Sequence, residues 1–133
     1  MYNGKAVYFK GNGMDSLSVS NLRNLRQQAI DRRYNEIYRH ELAHKNAAGA
    51  LGGSIVIEKD ADGVPIGGHV EIKMPVLNES NPDETIEHAD VVIKSALAPS
   101  DPSEQDYRVA AKARAVKTQA ISCKNGHKID YYA

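Results

Sequence analysis

The sequence predicts an α+β fold in which one long helix is followed by a β-hairpin and then by two further helices. Residues 20–48 contain no proline or glycine and are rich in Leu, Arg, Gln and Ala, which favour a helix. Residues 54–74 contain the β-branched run Ile55-Val56-Ile57, then a turn signal, Asp60-Ala61-Asp62-Gly63, and then alternating polar and apolar side chains over 69–74. Prolines near residue 100 divide the remaining helix-compatible sequence in two.

Each element has a local signal at its ends. Serines and an aspartate before residue 21 offer N-cap oxygens for the long helix, and Gly49, Gly52 and Gly53 permit a sharp reversal after it. Asn81 or Asp83 can cap the second helix. We therefore predict a single domain over 1–133, made of an N-terminal arm (1–19, with a β-prone run at 6–9), the long helix (20–48), the hairpin (54–74), a helical part (83–121) and a tail (122–133).

Composition restricts the function classes. The 133 residues carry 17 basic and 17 acidic side chains, so zero net charge argues against a general nucleic-acid binder. A single cysteine, Cys123, requires no oxidising compartment. No segment predicts a membrane span or a classical signal peptide, which makes the cytoplasm the default location and leaves non-classical export open. The small size of the chain leaves room for a homo-oligomer or a partner domain.

The long helix contains the pattern H-E-x-x-H at His40-Glu41-Leu42-Ala43-His44. Residues four apart project from one face of a helix, so His40 and His44 can chelate one zinc ion. Glu41, about 100° round the helix, is placed to act as a general base. The two histidines continue an apolar stripe of the same helix, formed by Leu22, Leu25, Ala29 and Ile37. This phase favours a metal site over a pair of hydrogen-bonded core histidines.

Longer strings resemble a known family. The H-E-x-x-H segment is followed by Gly67-Gly68, by Pro-Asp-Glu-Thr-Ile at 82–86 and by Ala-Leu-Ala-Pro-Ser-Asp-Pro-Ser-Glu-Gln-Asp at 96–106. In this order they resemble the bacterial SprA-related family over roughly residues 36–121. The resemblance implies a zincin-like fold and a zinc peptidase. It also implies that His40 and His44 are metal ligands and that Glu41 is the catalytic base.

A catalytic zinc needs a third protein ligand, and the sequence leaves its identity open. His69 is favoured because the family pattern has Glu at this position, and both residue types bind zinc. Strand alternation argues against His69, since it places this side chain opposite the apolar face of the hairpin. The alternatives are Asp90 or Asp83, which helical phase turns inward on the second helix.

Four further polar residues rank below these candidates for a role at the zinc site. Asp106 and His127 are the remaining options for the third ligand. Asp101 and Asp106 are better explained as helix-start caps, and Cys123 and His127 as parts of a free tail.

Two functions follow from these patterns. The first is zinc-dependent hydrolysis of a peptide or protein substrate, with Glu41 as general base and Zn²⁺ as cofactor. The second is a catalytically idle zinc-binding domain that acts as a protein-interaction or regulatory module, with the arginine-rich first helix as a contact surface.

Overall fold

The computed structural model describes residues 16–126, with side chains from residue 18. The predicted arm over 1–15, with its β-prone run, and the tail from residue 127 lie outside the described residues. The elements are α1 (Ser16–Ala48), a 3-10 turn (Gly49–Leu51), β1 (Gly52–Lys59), β2 (Pro65–Ile72), α2 (Pro82–Ala96) and α3 (Glu104–Lys124). The predicted α+β order of a long helix, an antiparallel hairpin and two more helices is confirmed. By its contacts the described part of the chain divides into two compact units, one ending at Asn35 and the other beginning at Glu36.

Helix α1 changes character along its length. Leu22 and Leu25 are more than half exposed, whereas Ile37 and His44 are buried. The apolar stripe predicted for this helix is therefore buried only in its C-terminal part, which belongs to the second unit. The helix ends where Gly49 adopts a left-handed conformation (φ +58°), which a residue without a Cβ accepts at little cost.

Strands β1 and β2 pair antiparallel, with Val56 opposite His69 and Ile57 opposite Gly68. The connecting turn is held by the Asp60 side chain, whose Oδ1 accepts the N–H groups of Asp62 and Val64, both at 2.9 Å. Gly63 supplies the positive φ of +81° that this turn needs. The hairpin turn predicted from the sequence is thus explained by one side chain and one glycine.

Helices α2 and α3 pack against each other through small side chains. The fully buried apolar residues of this pair are mostly alanines, which let the two backbones approach closely: Ala89, Val92 and Ala96 of α2, and Ala110, Ala113 and Ala120 of α3. Asn81 caps α2 by accepting the Glu84 N–H at 3.4 Å. Within residues 16–126, no helix combines the length and the apolar character needed to cross a membrane.

Candidate metal centre

Three side chains from two helices meet at one point. His40 and His44 project from neighbouring turns of α1, and Asp106 comes from the first turn of α3. The His40 Nε2 atom lies 3.1 Å from Asp106 Oδ2, and His44 Nε2 lies 3.2 Å from Asp106 Oδ1. The two Nε2 atoms are 3.3 Å apart. The His44 side chain is 7% exposed, Asp106 16% and His40 23%, so the cluster is largely shielded from solvent.

The contacts of His44 fix which of its nitrogens faces the cluster. Its Nδ1 lies 2.7 Å from the main-chain oxygen of Ser95, which can only accept, so Nδ1 carries a proton and donates it. The Ser95 hydroxyl in turn donates to the main-chain oxygen of His44 at 2.7 Å, and Ser95 is fully buried. With Nδ1 protonated, a neutral His44 presents the lone pair of Nε2 to His40 and Asp106.

Asp106 has two sets of contacts. It belongs to a capping box at the start of α3, where its Oδ2 accepts the Ser103 N–H at 2.8 Å and the Ser103 hydroxyl accepts the Asp106 N–H at 3.1 Å. The same carboxylate faces both histidines of α1. The cap that begins α3 therefore also orients Asp106 toward the cluster.

The spacing of these atoms matches that of ligands around one metal ion. Without an ion, a proton on the His40 imidazole can bridge Nε2 and the Asp106 carboxylate as a hydrogen bond, and a metal ion would take the place of that proton. In a tetrahedral zinc site with Zn–N bonds of 2.0–2.1 Å, neighbouring ligand atoms are separated by about 3.3–3.4 Å. The group of His40, His44 and Asp106 can thus hold a metal ion with little rearrangement.

Glu41 lies next to this group, at a buried position on α1. Burial raises the pKa of its carboxyl above the ordinary value of 4.5, while the nearby imidazoles of His44 and His40 act in the opposite direction. Strand β2 covers this part of the helix at Gly68, where an added Cβ would lie 3.1 Å from Glu41 Cγ and 2.7 Å from Ile37 Cγ2. The absence of a side chain at residue 68 lets the strand pack closely on α1.

The structure does not bring the other predicted ligands into the group. His69 is about half exposed, and its Nδ1 lies 3.3 Å from Glu58 Oε2. Since Gly68 faces α1, alternation turns its neighbour His69 to the opposite face of the hairpin. Asp90 and Asp83 form ion pairs with Lys117 and Lys124 of α3, at 2.7 and 2.8 Å.

The sequence favours His69, Asp90 and Asp83 over Asp106 as third ligand, whereas the structure places Asp106 beside both histidines. Ser103 and Asp106 form a complete capping box, so a structural role already accounted for the aspartate, and the local pattern gave no reason to expect a metal ligand there. The only available signal was its place in the string that resembles the SprA-related family. His127, the other remaining option, lies outside the described residues.

Comparison with known proteins supports that resemblance. The family model described as the SprA-related family matches residues 13–121, which is well over half of the chain. Comparisons with curated proteins and with solved structures gave no match. On the strength of the family match, the chain belongs to the SprA-related family.

Proposed function

We propose that this protein is a zincin-like, zinc-dependent peptidase in which His40, His44 and Asp106 hold the ion and Glu41 is the general base. The observation that carries the proposal is the convergence of two imidazole Nε2 atoms and a carboxylate at 3.1–3.3 Å, one residue away from a buried glutamate. Two imidazoles and a carboxylate are a donor set that suits zinc, and three protein ligands leave a position open for substrate or water.

When bound, zinc supplies Lewis-acid chemistry: it polarises a carbonyl oxygen and lowers the pKa of a water molecule toward neutrality. Glu41 accepts the proton of the attacking water and then delivers it to the leaving amine. Strand β2 covers Glu41 at Gly68, which limits the access of bulk water to the carboxyl. The Ser95 carbonyl holds the His44 ring so that Nε2 stays a lone-pair donor.

Zinc affinity distinguishes Asp106 from His69 as the third ligand. Asp106→Asn keeps an oxygen that can accept the Ser103 N–H, so α3 retains its cap, but it removes the anionic ligand. We expect this variant to lose more zinc affinity than the roughly 10–100-fold typical of an outer-shell substitution. His69→Ala is the matched control and should bind zinc as the wild type does. Competition with a chromophoric chelator measures both.

Hydrolysis is tested on the same preparations. Zinc-loaded wild type should cleave members of a broad peptide library, and Glu41→Gln should bind zinc but cleave none of them. Zinc binding without any cleavage by the wild type would reject the peptidase proposal and favour the alternative, a metal-binding interaction module. A wild type that binds no zinc would reject both.

A further inference from the structure

The two ligand imidazoles differ in what faces their second ring nitrogen. A histidine that binds a metal through Nε2 carries its proton on Nδ1, and that N–H needs an acceptor. His44 Nδ1 has the buried Ser95 carbonyl at 2.7 Å. His40 Nδ1 faces the Asp101 carboxylate, with Oδ1 at 3.6 Å, and has no other partner within residues 18–126.

We propose that Asp101 is a positioning residue for the metal ligand His40. By moving closer than the present 3.6 Å, its carboxylate accepts the Nδ1–H of His40, fixes the orientation of the ring and increases the electron density that Nε2 offers to the ion. This inference rests on the proposed function, because it requires His40 to be a zinc ligand. Asp101 does not touch the ion itself, since it lies on the side of the ring away from Asp106.

The position of Asp101 along the chain supports this role. It sits between Pro99, which is buried, and Pro102, and both prolines restrict the backbone of the segment that precedes α3. That segment leads into the helix turn that carries Asp106. The segment that places Asp106 beside the two histidines therefore also places the Asp101 carboxylate on the Nδ1 side of His40.

The geometry also sets the size of the effect. A separation of 3.6 Å is longer than a direct hydrogen bond, and the Asp101 side chain is 90% exposed, so it is free to move the remaining distance toward the ring. An exposed carboxylate is a weaker partner than a buried one. We therefore expect an effect at the lower end of the range for outer contacts, about tenfold in zinc affinity.

The test compares Asp101→Ala and Asp101→Asn with a control, Glu79→Gln, which removes an exposed carboxylate elsewhere. Zinc affinity is measured by chelator competition, and the ring nitrogens of His40 are followed by ¹⁵N NMR in the zinc-loaded proteins. Asp101→Ala should bind zinc about tenfold more weakly and shift the His40 Nδ1 signal. Asp101→Asn keeps an acceptor and should lose less affinity. The control should match the wild type in both measurements.

The outcomes separate this inference from the proposed function. If wild type binds zinc and Asp101→Ala equals it in affinity and in the His40 Nδ1 signal, the role of Asp101 is refuted while the zinc site stands. If wild type binds no zinc, the proposed function fails and this inference fails with it. Loss of affinity with an unchanged His40 signal would also refute the positioning role, because the effect would then not pass through the ring.

Discussion

The contact between β2 and α1 at Gly68 gives the sharpest prediction about stability. Replacing Gly68 by alanine adds one methyl group at a site where its Cβ would lie 2.7 Å from Ile37 Cγ2, 3.0 Å from the Val56 carbonyl oxygen and 3.1 Å from Glu41 Cγ. The Val56 oxygen belongs to the backbone of β1, and Ile37 and Glu41 both lie at buried positions on α1. The strand must therefore move away from α1 to accept the methyl group.

The magnitude follows from two opposing effects. Forcing an extra methyl group into a packed site costs about 1–3 kcal/mol. Alanine also restricts the unfolded chain more than glycine does, which returns about 0.4–1 kcal/mol. The free energy of unfolding should therefore fall by about 0–2.6 kcal/mol, with the middle of the range near 1.3 kcal/mol. Since Glu41 borders the same contact, the proposed general base should lose part of its cover when the strand moves away.

Gly67→Ala is the matched control, because its Cβ would meet only the flexible end of the Glu58 side chain, at 3.3 Å. Urea unfolding of the metal-free proteins should give a lower midpoint for Gly68→Ala and a nearly unchanged one for Gly67→Ala. In a double-mutant cycle, Gly68→Ala should lower the free energy of unfolding less in an Ile37→Ala background than in the wild type. Equal midpoints for the two glycine variants would refute the packing argument.

Three further predictions concern the centre and its surroundings. Burial raises the pKa of Glu41 in the folded state, so the folded carboxyl binds its proton more tightly than the unfolded one. Metal-free wild type should therefore lose stability relative to Glu41→Gln as pH rises above 4.5. Thermal unfolding at pH 4 and pH 7 checks this, and a gap that does not widen at pH 7 would contradict it. Ser95→Ala removes the hydrogen bond from the hydroxyl to the His44 carbonyl, so the free energy of unfolding should fall by about 0.5–1.5 kcal/mol and zinc affinity should fall as well. Unchanged values in denaturant unfolding and zinc titration would count against the role of Ser95. Asp90→Ala breaks an exposed ion pair with Lys117 and should cost about 0–1 kcal/mol without changing zinc affinity, whereas a large loss of zinc would return Asp90 to the ligand set.

Several features could be predicted from local sequence because their causes are local. The proline-free run, the Asp60–Gly63 turn and the capping residues Asn81 and Ser103 act within a few positions of the chain, and the structure contains each of them. The apolar stripe of α1 was a weaker guide, because periodicity shows which face of a helix is apolar but not whether anything covers it. Leu22 and Leu25 lie on the apolar face but are exposed, whereas Ile37 on the same face is buried.

By itself, the sequence determined that His40 and His44 project from one helical face with Glu41 beside them, because a spacing of four residues fixes this in any α-helix. Only the tertiary structure decided what faces them. Asp106 lies 62 to 66 positions further along the chain, and its proximity to both imidazoles depends on how α3 packs, which no local pattern encodes. His69 lies outside the group, because Gly68 faces α1 and strand alternation turns the next side chain to the other face of the hairpin.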